Sequence, residues 1–145
     1  MEDVVTTAWT TLCLALLLPS LAVAGEHREV LHAALKKVES IEGPFDTIVL
    51  SPDLSPELRQ AAWQLRTTVE QSTLAPSVDE QLPDTYFRLG RVDIQGDVAT
   101  VSGDVGAVLR PDPSNLFGCG VGYVIGLKRS SQGTWVPQDV SSLAC

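Results

Sequence analysis

The chain has 145 residues, 18 of them acidic and 10 basic, for a formal charge of −8. An acidic surface repels phosphate backbones and anionic lipid headgroups, so the expectation is no nucleic-acid partner and no membrane-surface partner. Hydrophobic residues make up 44% of the chain, enough for one core, and the length suits one folded domain after an N-terminal leader.

The leader is the apolar run Ala8-Trp9-Thr10-Thr11-Leu12-Cys13-Leu14-Ala15-Leu16-Leu17-Leu18. Pro19 and Ser20 break it, and Ala22-Val23-Ala24 follows. An apolar core, a breaker and small residues at −3 and −1 are the layout of a secretory signal peptide cleaved after Ala24. Residues 1–24 are read as that signal and residues 25–145 as a single domain, secreted or periplasmic, with no membrane contact after cleavage. The acidic head Met1-Glu2-Asp3 departs from the usual basic one, so a start further upstream and a retained membrane anchor stay open. The run is shorter than the roughly 20 apolar residues needed to span a bilayer. Cys13 sits too early to be a lipid-attachment site.

Residues 25–40 read as a helix, with Val30, Leu31, Ala34, Leu35 and Val38 at helical spacing and Glu42-Gly43-Pro44 as its stop. Thr47-Ile48-Val49-Leu50 is a short β-branched run, an edge strand or an extended link. Ser55-Pro56-Glu57 is a helix start: a hydroxyl cap, proline at the first position, then an acid. Leu58, Ala61, Ala62, Leu65 and Val69 carry the pattern on to about Gln71. Residues 74–84 form a loop.

The period then changes from helical to alternating. Residues 86–94 read as a strand whose apolar phase slips at Gly90, which predicts a bulge. Gln95-Gly96-Asp97 turns the chain into a strand over 98–109. Residues 110–115 form a loop. Residues 118–129 form the next strand, with Cys119, Val121, Tyr123, Ile125 and Leu127 on one face and Gly120, Gly122 and Gly126 on the other. A glycine row admits close approach, and a packed helix is the expected visitor, a ligand the alternative. A turn over 130–133 leads to a last strand at Thr134-Trp135-Val136. The expected fold class is α+β: two N-terminal helices packed on a curved antiparallel sheet of about four strands.

Cys119 and Cys145 are the only cysteines after the leader. In an oxidising compartment the pair is expected to form a disulfide, worth roughly 3 kcal/mol by loop entropy. No histidine lies near either, and zinc sites usually show close ligand pairs, so no metal is expected. No cofactor motif is present.

Three stretches resemble a known family. They are Val92-Asp93-Ile94-Gln95-Gly96-Asp97-Val98-Ala99-Thr100-Val101, then Tyr123-Val124-Ile125-Gly126-Leu127-Lys128-Arg129, then Gly133-Thr134-Trp135-Val136. Their strand, Gly-Asp turn, strand, basic-ended strand and Trp strand are similar to the C-terminal sheet of the nuclear transport factor two-like superfamily, the cystatin-like cone. The resemblance implies helices against a curved sheet. It also implies either an isomerase or dehydratase that uses an Asp or His base with a Tyr donor, or a domain that only binds.

The chemistry tests mostly fail. His27 and His32 are five apart, on different faces of the first helix, and read as solvated. Nucleophile, zinc, phosphate-loop and calcium-loop motifs are missing. The low-ranking catalytic candidates are Asp93 with Tyr86 or Tyr123. Trp63 and Trp135, with Leu116 and Phe117, are the candidates for binding, although the two tryptophans, like Tyr86, Phe87 and Tyr123, are expected first as core. The leading functional expectation is a non-enzymatic exported domain that binds a protein or small apolar ligand. The alternatives are a pocket enzyme of isomerase or dehydratase type, and a secreted inhibitor or immunity-type protein acting through residues 110–117.

Overall fold

The structure, a computed structural model, describes residues 5–71, 85–107 and 121–144, with side chains from Val23 onward apart from Ala107. The expected loops at 74–84 and 110–115, Leu116, Phe117 and both cysteines of the expected disulfide, Cys119 and Cys145, lie outside the described residues.

Helix α1, Val5–Glu42, is continuous through Pro19 and Gly25, where the sequence suggested a break and a later start. A proline inside a helix removes one backbone hydrogen bond, and here the helix spans it. Its second half carries the expected stripe. Val30, Leu31, Ala34, Leu35 and Val38 are all essentially inaccessible, and fully burying a Leu or Val side chain contributes roughly 1.5–3 kcal/mol. Gly43 ends the helix at φ 92°, its N–H donating to Glu39 O at 2.9 Å, a left-handed cap that glycine alone adopts without strain. Among the described residues no helix is long and apolar enough to cross a membrane.

Strand β1 (Thr47–Leu50) leads into α2 (Pro56–Leu65), whose cap is the predicted one: Leu58 N–H donates to Ser55 Oγ at 3.3 Å. The helix stops at Leu65, short of Gln71. Thr67–Glu70 instead forms β2, so Val69 belongs to a strand. Three β-branched residues in a row (Thr67, Thr68, Val69) favour extended backbone, and β1 offers them a parallel ladder from Thr47↔Thr67 to Leu50↔Glu70. Arg59 of α2 holds the β2 end by pairing with Glu70 and donating to Ser51 O at 2.8 Å.

The remaining strands are β3 (Thr85–Gln95), β4 (Val98–Ala107), β5 (Val121–Arg129) and β6 (Trp135–Ala144). They form the expected antiparallel meander, and β1 joins β3 in parallel, giving one mixed sheet in the order β2-β1-β3-β4-β5-β6. The α+β class holds, but the sheet has six strands rather than about four and is not wholly antiparallel. Far from being an edge or a link, β1 is interior, with all four residues buried. The register of β3 on β4 shifts between Leu89 and Arg91, where the slip at Gly90 predicted a bulge.

The main core cluster lies on the helix side of the sheet, while Val49 and Tyr86, also fully buried, point to the other side. The α1 stripe and Leu58 and Ala62 of α2 cluster with Ile48, Leu50, Phe87, Leu89, Ala99, Val101, Tyr123, Ile125, Leu127 and Trp135. Gly122 and Gly126 alternate with Tyr123, Ile125 and Leu127 and so face away from the helices. The expectation that a helix packs on the glycine row is therefore corrected.

Two glycines give a contrast. A Cβ on Gly103 would lie 2.5 Å from Arg88 O and 2.7 Å from Cε1 of the Phe87 ring, whereas one on Gly126 would meet nothing closer than 3.7 Å. Gly103→Ala is expected to cost about 1–3 kcal/mol by overpacking, and Gly126→Ala within about 0.5 kcal/mol of zero. Urea unfolding of both variants reads the difference directly.

Candidate functional site

Arg129 closes the core at the end of β5. Its backbone N–H donates to Asp97 O at 2.8 Å in the β3–β4 turn. Its guanidinium pairs with Glu26 of α1, lies 3.6 Å from Asp97 Oδ1, and covers the Trp135 ring at 4.7 Å. Guanidinium over indole is a favourable cation–π geometry. Trp135, a binding candidate from the sequence, is only 4% exposed and belongs to the core.

Beside this clasp lies an open depression of about 620 Å³, lined among others by Val23, Glu26, His27, Val92, Asp93, Asp97 and Arg129. Glu26 and Asp97 meet Arg129 there, and Asp93 adds a third carboxylate beside the apolar Val23, Val92 and Ile94, so the lining is mixed with an acidic balance. His27 is engaged within its own helix, Nδ1 lying 2.9 Å from Val23 O, and His32 is exposed. Among the described residues no group of three or more His, Cys, Asp or Glu side chains is arranged to hold a metal ion.

The catalytic candidates are not brought together. Asp93 pairs with Arg91 at 3.5 Å, both side chains substantially exposed, a geometry that contributes little. Tyr86 sits seven residues back along β3, roughly 20 Å at the usual strand rise, on the face away from the helices. Its hydroxyl lies against Gly106, where a Cβ would come within 2.5 Å of it. Burial raises the Tyr86 pKa, the Asp104 charge adds to that, and Arg88 opposes it. Tyr123 is on the core face, and its hydroxyl donates to the Glu42 carboxylate at the end of α1. Burial first, then that hydrogen bond and the Glu42 charge, push its pKa up to about 12. An Asp base facing a Tyr donor, as the resemblance implied, is not formed by these three residues.

What the sequence reading missed is the outer face of β4, β5 and β6. Cross-strand register places Val98 beside Lys128 and Val136, Thr100 beside Gly126 and Asp139, and Ser102 beside Val124 and Ser141. Val98, Val124, Val136 and Leu143 are all exposed. Lys128 and Asp139 make no ion pair with a described residue. The glycine phase of β5 was the available signal. Trp63, the other binding candidate described, is exposed on α2, 59% accessible.

No family model matches the chain, and no curated protein matches it.

The Tyr123 hydroxyl gives a pH test. Its pKa is raised in the folded state, so its contribution is fully present below about pH 10, the unfolded value, and is lost as the pH rises toward about 12. Tyr123→Phe is expected to flatten the loss of stability between about pH 10 and about pH 12, measured by urea unfolding at stepped pH. A slope equal to wild type would place the alkaline sensitivity elsewhere.

Proposed function

We propose that the protein is an exported, non-enzymatic α+β domain that works by binding another protein through the outer face of β4, β5 and β6. The observation that carries this reading is Gly122 and Gly126. The chain itself leaves room for a side chain at both, with nearest approaches of 3.6 and 3.7 Å. Internal packing therefore does not demand glycine, and the flat backbone they leave is bordered by exposed Val98, Val124, Val136 and Leu143. Lys128, Asp139 and the hydroxyls of Thr100, Ser102 and Ser141 lie among these apolar side chains on the same face, a mixture of apolar and polar contacts of the kind a protein surface matches. A small apolar ligand has less to recommend it, because the open depression has an acidic balance.

Export rests on the apolar run, the breaker and the Ala22-Val23-Ala24 site. The disulfide belongs to the same reading. Val121 is paired with Ala144, and these residues are two after Cys119 and one before Cys145 in sequence. The resemblance to the nuclear transport factor two-like superfamily also stays within this proposal, supported by the tight turn at Gly96 (φ 61°) and the buried Trp135 that opens β6. On that reading the protein is one of the superfamily's binding members rather than one of its enzymes.

A photo-crosslinking residue placed at position 124 in the exporting cell is expected to give a discrete adduct that is lost in Gly126→Arg. The same residue at position 60, on α2, is expected to give none. Equal crosslinking from both positions, or none from 124, would refute the face. Processing is read by intact mass: a species beginning at Gly25 and lighter than the dithiol by two hydrogens is expected, and reductant should restore those hydrogens.

A further inference from the structure

Strand β6 pairs with β5 on one side. Its other side is the edge of the sheet, ten residues long among the described residues. A long edge is a template for strand addition, and proteins blunt it with charge, proline, bulges or a cover. The two halves of β6 differ in this respect. The first half is blunted: Pro137 has no N–H, Asp139 is charged, and the ladder is irregular between Gly126 and Leu127. The second half, Val140-Ser141-Ser142-Leu143-Ala144, has no charge, no proline and no glycine. Ser141 to Ala144 are exposed, Leu143 at 78%.

We propose that this second half is a self-association edge: it pairs antiparallel with the same segment of a second copy, about a two-fold axis at Ser142. The register follows from charge and backbone chemistry. Centred on Ser142, Val140 lies opposite Ala144, Ser141 opposite Leu143, and Ser142 opposite its own mate, so no charge enters the ladder. Centring on Asp139 would set two carboxylates face to face, which is destabilising. Centring on Val140 would bring Pro137 into the ladder, where it has no donor to give. In the Ser142 register the two Leu143 side chains are diagonal neighbours on the outer face, roughly 7–8 Å apart, and shield each other from water. The two Asp139 carboxylates fall at opposite ends, which suits a chain of charge −8.

Five paired residues with small side chains bury well under the roughly 800 Å² per partner of a standard interface. The dimer is therefore one that forms and dissociates with concentration. It joins two six-stranded sheets edge to edge and sets two outer faces side by side, which presents any partner of that face with a two-fold surface.

Sedimentation velocity of the full chain over a range of concentrations, with Ser142→Lys and Ser142→Glu, is the test. Wild type is expected to pass from monomer to dimer. Each variant puts like charges opposite each other and is expected to weaken the dimer at least about tenfold, and a 1:1 mixture of the two variants is expected to restore it. Three results would each overturn the proposal. One is a wild type that stays monomeric throughout, which would leave the edge to a strand from another protein. The second is association that persists unchanged in either single variant, the behaviour expected of the apolar N-terminal segment. The third is a mixture that stays monomeric. Circular dichroism checks that the variants are folded. If either is not, Leu143→Lys and Leu143→Glu apply the same logic at the diagonal position, where the side chain is already in solvent.

Discussion

Among the described residues, the apolar stripe of α1 is buried against one face of the sheet. Val30, Leu31, Ala34, Leu35 and Val38 need a sheet face that alternates apolar residues over several strands, and β4, β5 and β6, which α1 crosses, provide it with Ala99, Val101, Ile125, Leu127 and Trp135, beside Phe87 and Leu89 of β3 in the same cluster. Placing α1 there commits both helices to the same side, because α2 packs on α1 and buries Leu58 and Ala62 in the same cluster. The far side of the meander is then left uncovered by either helix. The outer face and its glycines follow from that single commitment, and so does the position of Arg129, which closes the core where α1 passes the end of β5.

The same constraint explains the parallel strands. A helix between two short strands returns the chain in the direction it came, so the β1–α2–β2 segment pairs in parallel. With α2 on the core side, β1 sits between β2 and β3, where all four of its residues are buried. Ion pairs then finish the corner. Arg66 reaches Glu39 on α1 at 3.2 Å, and Arg59 joins α2 to β2 through Glu70. These partly exposed pairs contribute little individually, but they fix the direction in which β2 leaves the helix.

Charge and aromatic placement separate the structural residues from those open to partners. Trp135 and Tyr123 are taken up by the core, one under Arg129 and the other against Glu42. Asp93 is turned to solvent beside Arg91. With those residues accounted for, the outer face of β4, β5 and β6 carries exposed valines and Leu143 beside glycines, hydroxyls and charged side chains. Such a surface can bind.

Local pattern was enough for much of this. The helical spacing from Val30 to Val38, the Ser55-Pro56-Glu57 cap, the phase slip at Gly90 and the turn at Gly96 are all decided by neighbours within a few residues, and each is found where the sequence put it. The α+β class followed from the order of those elements. Tertiary contacts decided what local pattern leaves open. Thr67 to Glu70 became a strand because β1 was there to pair with it, and β1 became interior because β2 and β3 flank it. In β5, sequence alone marked the glycines as one phase of a strand but could not say which phase the helices would cover. That choice belongs to the core, since the larger apolar phase gains more by burial, and it is what turned Gly122 and Gly126 outward.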